Sequence, residues 1–168
     1  NLLVHADLFN AVHLAAARAL QKGGIVWTTN IDMAVEAAAR FLNFSPETVV
    51  VGERDDNDKR LPFVVADVDQ GTLLKLHGSV GCRGSLAFTD LELLTPFEPS
   101  AVEQMSELAH GRRLVLYGYR GADADLHSLL TETLNGADEV RWYEPSEAVR
   151  EEILRTFPNS PITFDPAQ

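Results

Sequence analysis

Cysteine is nearly absent from this sequence: Cys82 is the only one in 168 residues. A lone thiol excludes an internal disulfide and a multi-cysteine zinc site. Basic residues are scarce too, 14 against 25 acidic ones, for a formal net charge of −11. Binding nucleic acid by phosphate neutralisation needs clustered cations, so no direct nucleic-acid partner is expected. No apolar run approaches the ~20 residues of a bilayer-spanning helix, and no signal-type apolar segment follows the start. There is no P-loop, no G-x-S-x-G elbow and no G-x-G-x-x-G fingerprint. These absences point to a cytoplasmic, zinc-free chain without a membrane partner. The chain opens on Asn1 rather than Met, almost directly into a helical pattern, and is expected to be an excised piece of a longer one.

Apolar surface is plentiful. With 45% hydrophobic residues in 168, the chain can bury the core of one domain. Helical spacing runs through Leu8, Val12, Ala15, Ala16 and Leu20 and stops at Gly23-Gly24. A buried-strand run, Gly24 to Thr28, follows, and Asp32 to Leu42 is helical again. Thr48 to Val51, Phe63 to Ala66 and Thr72 to Leu76 read as strands, with an exposed loop from Glu53 to Arg60. Beyond the glycine-rich stretch Gly78 to Ser85 come a helix near Ala101 to His110 and a strand, Arg113 to Tyr119. Asp123 is placed to cap a helix whose Leu126, Leu129, Leu130 and Leu134 form one apolar face. Val140 to Tyr143 reads as a strand, Glu147 to Phe157 as a helix, and Ile162 to Phe164 as a last strand or a tail. The alternation predicts an α/β, Rossmann-like three-layer domain with a mainly parallel sheet and no small zinc-binding domain.

In such sheets ligands bind beyond the carboxyl ends of the strands. The polar clusters fall there: Thr28-Thr29-Asn30-Ile31-Asp32, His77-Gly78-Ser79, Gly118-Tyr119 with Asp123, and Glu144-Pro145. Glycines let backbone N–H groups approach phosphate, carboxylates accept from ribose hydroxyls, and histidine titrates near neutral pH. Each group also has a local reading. Asn30 and Asp32 fit an Asx turn and helix cap, His77-Gly78 a turn, Asp123 a cap, and Glu144 a strand exit before proline. His5, His13, His110 and His127 lack metal-ligand spacing, and Cys82 beside Arg83 lacks a matching His-Asp pair.

Taken together, the motifs resemble the sirtuin superfamily, whose T-x-N-x-D segment matches Thr28 to Asp32. Lys75-Leu76-His77-Gly78-Ser79 resembles its L-H-G motif, and Gly118-Tyr119 with Asp123 its later G-[YTS]-x-x-x-D segment in the form of bacterial sirtuin-like domains. Order and strand-end placement agree from about Gly24 to Pro145. The resemblance implies NAD as cofactor and an NAD- or ADP-ribose-type small-molecule partner. His77, Asn30 and Asp32 would be the catalytic set. Asn30 would meet the nicotinamide ribose, Asp32 the carboxamide, and His77 would act as base on the ribose hydroxyls or position the cofactor. Thr28, Thr29, Gly78 and Ser79 would line the cofactor. Gly118, Tyr119 and Asp123 would line its adenosine and phosphate end, and Glu144 would reach the adenine ribose.

The implied chemistry is cleavage of the nicotinamide–ribose bond through an oxocarbenium-like transition state. The single cysteine cannot build the four-cysteine zinc ribbon of the protein deacylases, which favours NAD hydrolysis, in a bacterial defence or signalling protein, over deacylation. A non-catalytic nucleotide-binding module is the other alternative. Besides the strand that runs into His77, two strands are expected between Asp32 and His77, where zinc-bearing members have a short connection. The family's G-A-G-x-S loop is not in the sequence and is expected upstream, with fused or partner domains and self-association also open. A −11 surface must still hold an anionic cofactor, and Lys75, Arg83 and Arg120 are the local cations placed to help.

Overall fold

A computed structural model of the chain describes residues 9–51, 70–82, 85 and 97–165. The chain divides into two compact units, Asn1–Phe88 and Thr89–Gln168. The strand expected at Phe63 to Ala66, the loop at Glu53 to Arg60, Leu8, His5 and Arg83 lie outside the described residues.

In the first unit Asn10 starts helix α1 (Ala11–Gln21) through a capping box. Its Oδ1 accepts from the N–H groups of Val12 and His13 at 2.9 and 3.2 Å, and the His13 ring accepts from Asn10 N–H at 3.1 Å. The helix stops where the Gly23-Gly24 pair predicts. Gly23 takes φ of +83°, and the Gly23 and Gly24 amides close back onto the carbonyls of Leu20 and Ala19. Strand β1 (Val26–Thr28), helix α2 (Ala34–Phe41), strand β2 (Glu47–Val50) and strand β3 (Thr72–Lys75) follow. Helix α2 ends by the same device, with Asn43 at φ 62°. The strands form a parallel sheet in the order β1-β3-β2, Leu74 facing both Trp27 and Val49. Central β3 is buried along its length. Leu73 packs with Leu20 and Val35, and Ala17 with Ala38 and Ala39; these small side chains let α1 and α2 approach closely.

The second unit repeats the pattern with helix α3 (Pro99–Ala109), strand β4 (Arg113–Tyr117), helix α4 (His127–Gly136), strand β5 (Glu139–Tyr143), helix α5 (Glu147–Thr156) and strand β6 (Ile162–Phe164). Its sheet is parallel in the order β4-β5-β6, so Ile162 to Phe164 is a strand rather than a tail. Trp142, Leu126, Leu129, Leu134, Val140, Ile153 and Met105 fill its core. The apolar face expected around Leu126 to Leu134 is buried, but the helix begins at His127, with Leu126 at the N-cap and no side-chain cap. Asp123 is therefore not its side-chain cap; its main-chain carbonyl accepts from Leu126 N–H at 3.2 Å.

The α/β architecture with parallel strands is Rossmann-like, as the alternation predicts. Among the described residues the strands pair as two three-stranded parallel sheets, one in each unit. Periodicity identifies a strand but carries no information on its hydrogen-bonding neighbour. No helix among the described residues is long and apolar enough to cross a membrane.

Candidate functional site

The segment after β1 and the segment after β3 lie side by side because β1 and β3 are parallel neighbours, and both exit at the same end. Leu76 N–H donates to the Thr28 carbonyl at 2.9 Å, and Val80 N–H to the Ile31 carbonyl at 2.9 Å. These bonds fasten the Thr28-to-Asp32 loop to the His77-to-Ser79 loop. Thr28, Thr29, Asn30, Asp32, His77, Gly78 and Ser79 thus occupy one end of the first sheet.

Local chemistry shapes each loop. The Thr28 hydroxyl accepts from Asn30 N–H at 3.1 Å, so Asn30's amide, not its carboxamide, closes the turn, and Asn30 stays exposed. Asp32 Oδ1 accepts from Ala34 N–H at 2.9 Å, satisfying an orphan donor at the start of α2. Met33 holds the N-cap position, so Asp32 stands one residue before it and its bond is an Asx-type turn onto the first helical N–H. His77 is half-buried, and Gly78 behind it is buried with φ of +88°. Ser79 is buried; its N–H donates to Ser85 Oγ at 3.0 Å, while Ser85 Oγ donates to the Cys82 carbonyl at 2.8 Å. Ser79 therefore helps fold the loop itself.

Beneath the loops sits Lys75, the last residue of β3 and fully buried. Its Nζ donates to the Asp32 carbonyl, pairs with Glu36 Oε1 at 3.0 Å and lies 3.8 Å from Met33 Sδ. The expectation that Lys75 offers its charge to a bound anion is corrected here. The ammonium is turned inward because Glu36, one turn into α2, neutralises it. Sequence reasoning missed Glu36, although an acid inside the apolar run Ala34 to Ala39 signals a buried partner. Met33 was missed as well; its sulfur also takes the Ser79 hydroxyl at 3.5 Å.

The remaining candidates lie in the second unit. Gly118 follows β4 with φ of +64°, and nothing among the described residues stands within 4 Å of where a Cβ would be. Tyr119 is anchored to the core: its carbonyl accepts from Trp142 Nε1 at 2.8 Å and its ring stacks on Trp142 at 6.2 Å. Burial, then the neighbouring Asp123 carboxylate, pushes the Tyr119 phenol well above its ordinary range. The phenol thus stays protonated at physiological pH, a donor rather than a charge. Arg120 is exposed. Glu144, after β5, is buried; its Oε1 accepts from Ser146 N–H at 2.8 Å, and its carbonyl accepts from Arg150 Nε.

Among the described residues no group of His, Cys, Asp and Glu could hold a metal ion. A family model described as a SIR2-like domain matches residues 24–156. No curated relative matches the chain at a significant level.

Proposed function

Because this chain belongs to the SIR2-like domain family, we propose that it binds NAD and hydrolyses the nicotinamide–ribose bond. The observation that carries the reading is the fastening of the Asn30–Asp32 loop to the His77 loop by the Val80-to-Ile31 and Leu76-to-Thr28 bonds. The donor set fits the group: a carboxamide, a carboxylate and an imidazole on adjoining loops match a carboxamide and two ribose hydroxyls in hydrogen-bonding type. NAD supplies the glycosidic bond that breaks; the protein supplies position and a proton acceptor.

In this reading Asn30, exposed at the loop tip, holds the nicotinamide ribose. Asp32 spends Oδ1 on the helix, so Oδ2 is the atom that accepts from the carboxamide N–H. His77 takes a proton from a ribose hydroxyl or orients the sugar. Thr28, Thr29, Gly78 and Ser79 shape the wall of the site on the first unit. Water is the acceptor, since one cysteine cannot assemble the zinc ribbon that deacylases use. A cytoplasmic setting follows the same reading.

Nicotinamide release by the full chain and by His77→Ala, alongside calorimetric titration with NAD and ADP-ribose, tests this. The variant is expected to lose release by about a hundredfold or more while melting with the parent. Unchanged release in the variant sinks the assignment of His77. Binding without release in the parent makes the chain a nucleotide-binding module instead.

A further inference from the structure

The buried Lys75–Glu36 pair is the feature the reading above does not use. Charged side chains this deep are costly unless every lone pair and proton is matched, and hydrophobic replacements often serve stability equally well. Glu36 Oε2 has no hydrogen-bond partner among the described residues, so the pair is not an optimised stability device. What distinguishes it is the third contact: Lys75 Nζ also grips the Asp32 carbonyl. Lys75 ends the strand that leads straight to His77, while Asp32 and Glu36 belong to the other loop and the helix behind it. One ammonium thus joins the backbone leading to His77 with the backbone carrying Asn30 and Asp32.

We propose that Lys75, held by Glu36, is a positioning residue that fixes the spacing of the Asp32 and His77 loops for reaction on NAD. This rests on the hydrolytic reading of that site. The chemistry assigns no reacting atom to either side chain: Glu36 keeps the ammonium charged and aimed, and Lys75 holds the Asp32 carbonyl. Removing both charges together leaves no orphan ion in the core, so a folded protein results that lacks only the grip on the loop. Sub-ångström loosening between catalytic loops lowers turnover more than ground-state binding.

The double variant Lys75→Met/Glu36→Leu separates position from stability. Two readouts are taken on the full chain: amide hydrogen exchange, and KM and kcat for nicotinamide release. Protection of the Val80 amide, whose bond to Ile31 joins the loops, is expected to fall by about tenfold or more. Protection of Leu14 in α1, bonded to Asn10, is expected to stay at the parental level. kcat is expected to fall by about tenfold or more, with KM for NAD moving less than about threefold. Parental protection at Val80 in a folded double variant overturns the proposal, and so does parental kcat. If the parent itself releases no nicotinamide, the hydrolytic reading fails on its own, and Val80 exchange still decides whether Lys75 sets the loops.

Discussion

Among the described residues each unit builds a three-stranded parallel sheet, yet the two treat charge in opposite ways. In the first, Lys75 and Glu36 pair with their side chains only 1% and 8% exposed. In the second, Glu139 receives Arg113 Nε at 2.5 Å and Arg141 Nε at 2.6 Å on a surface where these side chains are 33%, 63% and 42% exposed. The exposed contacts are the shorter ones, so the surroundings rather than the distances set the two apart. In water the attraction between unit charges is mostly screened, whereas in the interior the attraction and the desolvation penalty both grow. A buried pair is therefore intolerant of losing one partner, and an exposed one barely notices.

The largest expected effect breaks the buried pair from one side. Lys75→Met strands the Glu36 carboxylate among alanines and is expected to cost about 3–5 kcal/mol in urea unfolding. A loss below about 1 kcal/mol shows that water reaches Glu36 and that the two units do not differ in this respect.

A smaller contrast lies within the second unit, between Gly118 and Gly121, which both take a left-handed backbone. Gly118 and Gly121 have φ of +64° and +71°, but among the described residues only at Gly121 would a Cβ meet anything, Phe157 at 3.2 Å and Trp142 at 3.5 Å. Gly118→Ala pays only for its backbone, about 1–2 kcal/mol. Gly121→Ala adds a push against two buried aromatic rings and is expected to cost about 1–3 kcal/mol more by thermal unfolding. Equal losses at the two positions mean that the Trp142–Phe157 packing yields without strain.

The same contrast explains what the residues disclosed in advance. Thr28 to Asp32 and Leu76 to Ser79 were visible as strand exits because buried strands, polar breaks and glycines are local signals. Gly23-Gly24 was visible as a helix stop for the same reason. The Lys75–Glu36 pair was not, since its partners stand far apart in sequence and meet only when β3 packs under α2. Lys75 was consequently read as a cation for the bound anion, although four buried positions in the strand Thr72–Lys75 leave no exposed face for it. Asp123 misled differently: its residue type suits a cap, yet the chain makes another turn before α4 begins, and Leu126 takes that place.

The exposed network supplies the smallest effect, and it depends on pH in a definite direction. Hydrogen bonds from Arg141 and then Arg113 lower the Glu139 carboxyl below its ordinary 4.5. A carboxylate whose pKa is depressed on folding stabilises the folded state above its unfolded pKa. That contribution fades as pH falls through the lower folded value. Glu139→Gln should therefore melt slightly below the parent by a constant margin from neutral pH down to about 5. The margin should close as the pH drops further below 4.5. Salt should narrow it at neutral pH, because these side chains sit in solvent. Melting curves of both proteins across that range, at low and high salt, check each direction. A margin that widens on acidification reverses the sign of the Glu139 shift, and one that ignores salt places Glu139 in the same class as Glu36.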